Sequence, residues 1–171
     1  VDITPPVGAT MVGYKPRTSD GVGHRLRAEA LVCKGPGGAW ALLTSDTIGF
    51  RRGYVERVRR RIEKATGLKP EAVMITGTHT HSGPATTQFG GESLGKSDAA
   101  YLEELEERLA GVVSRAMDAV APGAFEVAWT EAPALGSNRR IKSDTGQWVN
   151  EWQDDDGKHP GYFDPTVMLV G

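Results

Sequence analysis

Residues 72–84 read AVMITGTHTHSGP, and the fold of the chain is decided by what this stretch becomes. Val73, Met74 and Ile75 form an apolar run of strand length, rich in β-branched side chains. The run leads directly into two of the chain's four histidines, His79 and His81, before Gly83-Pro84 turns the backbone away. His, Thr and Ser are poor material for a core, so the stretch reads as a buried strand that ends at a polar rim. Side chains two apart share a face of an extended strand, which lets both imidazoles point into one space. In open α/β sheets that position, outside the carboxyl end of a strand, is where ligands collect.

On the amino-terminal side, Val55, Val58, Ile62 and Ala65 recur at helical spacing, and Gly67 with Pro70 ends that helix. Before it, RLRAEALVC and AWALLTSD are strand-like and are joined by KGPGG, a Gly-rich connection suited to a β-hairpin. The first two dozen residues are crowded with Gly and Pro and read as irregular structure along a surface or cleft. On the carboxyl side, Ser97-Asp98 offers an N-cap for a second helix. Its apolar stripe is Leu102, Leu105, Leu109, Val112, Val113, Ala116 and Val120. AFEVAWTEA and TVMLVG are strands, while the polar segment 137–165 between them has no period and reads as a long loop. The expectation is an α/β fold: a mixed, partly parallel sheet with helices packed on it and a β-hairpin near the N-terminus. Residues 1–171 suit a single domain. The abrupt opening VDITPP and the close DPTVMLVG read as the amino-terminal part of a longer protein.

Composition narrows the function. A net charge of −2 argues against general affinity for nucleic acid or anionic membrane. The basic run RRGYVERVRRRIEK has interleaved glutamates at helical spacing and reads as a solvated helix face. Cys33 is alone, so no disulfide can form within the chain, and it reads as a buried thiol. No apolar stretch approaches the ~20 residues of a membrane-spanning helix.

Zinc commonly takes imidazole nitrogen, and a catalytic zinc site has about three protein ligands with an open position. A His-X-His at a strand end suits the start of such a site, although a hydrogen-bonding role is the simpler alternative. Metallo-β-lactamase-type hydrolases continue that motif with Asp-His, where this chain has Ser82-Gly83-Pro84. An amidohydrolase barrel needs about 250 residues. Asp46, ending a strand, reads either as a second-shell partner for a ligand histidine or as a helix N-cap. His24 reads as a surface hydrogen-bonding residue or a further second-shell candidate. Arg139 and Arg140 follow Asn138, where one could steady a carboxylate or oxyanion. His159 reads as exposed, and DDDG at 154–157 as a turn rather than a calcium loop.

Several segments, in order, resemble the amino-terminal domain of the neutral (alkaline, non-lysosomal) ceramidase family. They are VDITPPVGATMVGY, GVGHRLRAEALV, LLTSDTIGF, TGTHTHSGP, SNRR and FDPTVMLV, of which THTHSGP is the most characteristic. The resemblance implies a zinc amidase that cleaves N-acylsphingosine to sphingosine and a fatty acid. His79 would be a zinc ligand, with His81 and Arg139 as catalytic residues beside it. The family completes its zinc site with another His, a Glu and a Tyr from further along the chain, so this sequence would carry zinc in an incomplete site. The resemblance also implies a lipid amide substrate, peripheral membrane contact through that substrate, the rest of a parent chain as partner, and a secreted or extracytoplasmic setting. This chain has Ala85-Thr86-Thr87 where the family often has glycines, and Arg140 where it usually has Ser. The alternative is a ceramidase-like binding or structural module without chemistry.

Overall fold

The computed structural model describes residues 1–15, 17–87, 96–151, 153 and 161–171. The chain divides into two compact units, Val1–Ala121 and Pro122–Gly171.

In the first unit two short strands, β1 (Thr10–Met11) and β2 (Arg17–Thr18), pair antiparallel. They are followed by β3 (Ala28–Gly35) and β4 (Gly38–Ser45), which form the expected hairpin, closed by Pro36 and Gly37. Helix α1 (Arg52–Thr66) then carries the chain over to β5 (Val73–Gly77), which lies parallel to β4. Parallel neighbours need such a crossover, because a tight turn can only reverse a strand. The fold is therefore α/β with a mixed sheet in the order β3-β4-β5. Among the described residues, one face of that sheet is covered by the helices. Ala28, Ala41, Leu43 and Val73 are buried against α1 and against α2 (Ala99–Asp118), whereas Leu31, Trp40 and Met74 remain exposed. The run 73–75 is thus half-buried. Cys33, expected inside, is also half-buried and lies opposite Trp40 in the register.

Both helices end as their sequences indicate. Asp98 caps α2 by accepting hydrogen bonds from the backbone N–H of Ala100 and Tyr101. Gly67 takes the left-handed conformation after α1 at φ 76°. The buried seam of α2 is rotated from the expected stripe. Tyr101, Leu105, Leu109, Ala110 and Val113 face inward with Glu106, while Leu102 and Val112 are half-buried. Glu106 is tolerated there because Arg57 and Arg61 of α1 reach its carboxylate at 3.0 and 3.2 Å. The basic run is therefore not wholly a solvated face: two of its arginines tie the helices together.

Two buried tyrosines fasten α2 at its amino-terminal end. Tyr101 donates its hydroxyl to the Ile3 carbonyl at 2.6 Å, and Tyr54 of α1 donates to the Leu102 carbonyl at 2.9 Å. Burial pushes both phenols well above their ordinary pKa, so both stay protonated donors. Tyr101→Phe leaves the Ile3 carbonyl unpaired and should lower stability by about 1–2 kcal/mol. Urea unfolding of the two proteins checks this, and an unchanged midpoint would show the bond to be dispensable.

The described residues of the second unit form two ribbons. β6 (Val127–Glu131) pairs antiparallel with β9 (Thr166–Val170), and β7 (Arg140–Lys142) pairs antiparallel with β8 (Trp148–Asn150). The second ribbon lies inside the segment read as a loop. Its turn, Ser143-Asp144-Thr145-Gly146-Gln147, carries Gly146 at φ 77°, and Ser143 N–H donates to the Gln147 carbonyl. Three-residue strands are too short to show alternation, which is why the ribbon escapes a reading by period. His159 and the run DDDG fall outside the described residues.

Candidate active site

Beyond Gly77 the chain leaves β5 but stays bound to the end of β4. Thr78 N–H donates to the Ser45 carbonyl at 2.9 Å and His79 N–H to the Thr47 carbonyl at 3.0 Å. Gly77 permits this approach: a Cβ there would lie 2.8 Å from the Thr47 carbonyl oxygen. Under it, the hydroxyls of Ser45 and Thr47, both fully buried, bond to each other at 3.0 Å. Thr86 donates to the Gly49 carbonyl at 2.7 Å from the far side of the His motif. The residues around His79 are therefore pinned through backbone and hydroxyl groups, beside a small apolar cluster of Val12, Ile48 and Ala85.

His79 itself has φ 61°, left-handed backbone that a non-glycine residue adopts at a cost of about 1–2 kcal/mol. Such strain is kept where surrounding contacts over-determine it, and functional sites are where it concentrates. Strand alternation therefore does not bring the histidines together, as the sequence suggests; a left-handed turn two residues past the ladder does. The two rings meet edge to face with centroids 5.0 Å apart. Nδ1 of His79 lies 2.8 Å from the Ile48 carbonyl, an acceptor that requires the proton on Nδ1 and leaves Nε2 with its lone pair free. An imidazole oriented in this way is prepared as a metal ligand.

His81 is held differently. The amino-terminal segment, read from sequence as irregular, wraps around it. β1 runs beside the chain that follows the motif, with Ala85 N–H donating to Thr10 and Val12 N–H to Gly83. Gly13, at φ 128°, lies flat against the imidazole, where a Cβ would sit 2.5 Å from Cγ. Tyr14 packs edge to face on the same ring at 4.9 Å, and Arg17 donates to the His81 carbonyl. Gly13, Tyr14, Arg17 and the Ile48 carbonyl are site elements that pattern reading missed. The Gly-Tyr pair after an apolar residue was the available signal, but nothing local ties it to a motif some 70 residues away.

Asp46 accepts from Arg27 N–H at 2.9 Å and braces the start of β3 against the end of β4, while the His79 ring bonds to Ile48 instead. His24 lines a cavity of about 430 Å³ with Met11, Leu26, Thr80, Ser82 and Pro84. Thr80 and Ser82 alternate with the histidines, and neither imidazole lines this cavity. Arg139 belongs to the second unit, at the entrance to β7, with its carbonyl accepting from Glu151 N–H at 2.8 Å. Arg140 lies over the Trp148 ring at 5.8 Å. Among the described residues, no group of three or more His, Cys, Asp or Glu is placed to hold a metal ion. Among them also, no helix is long and apolar enough to cross a membrane.

No family model matches the chain, and no curated protein does. Solved structures are similar to it. The crystal structure of neutral ceramidase from Pseudomonas aeruginosa matches with a TM-score of 0.71 at 20% identity, over 99% of this chain and 28% of that one. A ceramidase complexed with C2 matches with a TM-score of 0.62 at 23% identity, over 77% of this chain and 22% of that one. This chain therefore spans less than a third of the length of either. At such identities the likeness is one of fold, and the 171 residues have a ceramidase-like fold.

Proposed function

We propose that this chain supplies part of the active site of a zinc-dependent hydrolase that cleaves the amide bond of an N-acyl lipid such as ceramide. The observation that carries the reading is His79: a strained, left-handed residue at a strand end, its Nδ1 on the Ile48 carbonyl and Nε2 left for a metal. The ceramidase-like fold supports the choice of substrate class. Zinc, when bound, would supply a water of lowered pKa and a Lewis acid for the amide carbonyl. His79 would be one ligand, the others coming from the rest of a longer parent chain. His81 would donate a hydrogen bond to the oxygen that gains charge as the amide is attacked, and Arg139 would bind the same region of the substrate. A substrate of this kind would bring the protein to a membrane surface.

A second reading, a ceramidase-like binding module without chemistry, is favoured by one observation: the described residues hold no three-ligand cluster. Zinc titration separates the two when applied to the 171 residues and to the full-length protein. With one ligand in place, zinc should raise the melting temperature of the 171 residues little, and that of the full-length protein far more. The full-length protein should also release fatty acid from a short-chain ceramide. A tight stoichiometric site in the 171 residues alone would show that local residues complete it. A full-length protein that neither binds zinc nor hydrolyses the lipid would leave the binding module standing.

A further inference from the structure

We infer that Tyr14 is a positioning residue for His81, a role that rests on the function proposed above. His79 and His81 are fixed by different physics. The ring of His79 has a hydrogen bond to set its plane and tautomer. His81 has none at Nδ1, which is buried and lacks a hydrogen-bond partner among the described residues. Its ring orientation must come from packing. Three surfaces supply it: the bare backbone of Gly13 against Cβ, Cγ and Nδ1, the edge of His79 at 5.0 Å, and the ring of Tyr14 at 4.9 Å and 67°. With Nδ1 walled off by Gly13, Nε2 is the nitrogen left to meet a substrate.

Tyr14 is an unusual wall. It is 72% exposed, so the core does not hold it and folding gains little from it. Arg17 keeps it in place instead: the guanidinium lies 5.7 Å above the Tyr14 ring while donating to the His81 carbonyl. Ring, cation and backbone carbonyl thus close a circuit whose single common member is His81. An exposed aromatic that packs on a site imidazole and contributes little to the core is placed to orient that imidazole.

The test uses the full-length protein and two variants, Tyr14→Leu and Tyr14→Phe. Leucine keeps apolar bulk but removes the aromatic edge and the seat for Arg17, whereas phenylalanine keeps both. In Tyr14→Leu the ring-proton resonances of His81, assigned through His81→Gln, should shift as the ring current is lost. The rate should fall about tenfold to a hundredfold through misorientation, with zinc content and melting temperature unchanged. Tyr14→Phe should restore both the resonances and the rate. Unmoved His81 signals in Tyr14→Leu would overturn the proposal, as would loss of zinc from that variant. A rate lost in Tyr14→Phe with unshifted His81 signals would also overturn it, by making the hydroxyl the active group. If the wild-type protein hydrolyses no N-acyl lipid, the proposed function fails, and the resonances still decide whether Tyr14 orients His81.

Discussion

In the full-length protein His79→Ala should lower hydrolysis of a short-chain ceramide by about a thousandfold or more, because losing the metal forfeits several kcal/mol of transition-state stabilisation. Zinc content should fall with it. His81→Ala should instead cost about a hundredfold, the scale of one oxyanion donor, and leave zinc in place. The asymmetry follows from the two rings' surroundings. His79 has its Nδ1 committed to the Ile48 carbonyl and its backbone N–H to Thr47, so Nε2 is aimed before any metal arrives. His81 is oriented by packing alone at Nδ1, an arrangement suited to presenting a donor. Zinc analysis and turnover of both purified variants decide the matter. Equal loss of zinc from the two would make both histidines ligands and remove the division of roles.

Leu105→Ala should destabilise the first unit by about 3 kcal/mol. Leu105 is fully buried at the middle of the α2 seam, in one cluster with Leu43 of β4 and with Val58 and Ile62 of α1. Truncation there removes the apolar contact and leaves a cavity that three elements would have to collapse to fill. Leu135, by contrast, is 83% exposed, and Leu135→Ala should change stability by less than about 0.5 kcal/mol. Urea unfolding measures both. A Leu105→Ala midpoint close to that of Leu135→Ala would mean that α2 is not held by this seam.

Much of the scaffold was legible because its signals are local. The hairpin of β3 and β4 was marked by strand-like runs around Gly and Pro, and α1 by Val58 and Ile62 a turn apart. Its stop at Gly67 and the cap of α2 at Asp98 depend on residue types whose backbone or side-chain chemistry acts within a few residues. His79 and His81 could be singled out for the same reason: polar imidazoles following an apolar strand are out of place in a core. What failed were inferences needing a partner distant in sequence. The seam of α2 turned inward at Glu106 because Arg57 and Arg61, 49 and 45 residues earlier, neutralise it. The bond from the His79 ring to the Ile48 carbonyl likewise joins residues 31 positions apart.

The site shows the division most clearly. From the sequence alone came the pair of imidazoles, the strand that delivers them and the turn that follows. Only the tertiary structure decided how they face each other. His79 leaves the ladder in a left-handed conformation that residues 45–49 impose through two backbone hydrogen bonds, and Gly13 with Tyr14 closes over His81 from the other end of the unit. Backbone carbonyls and a missing Cβ leave no pattern in a sequence, since every residue has a carbonyl and a glycine is ambiguous between turn and contact. Their meaning exists only once the chain has brought them to within 3 Å of the rings they hold.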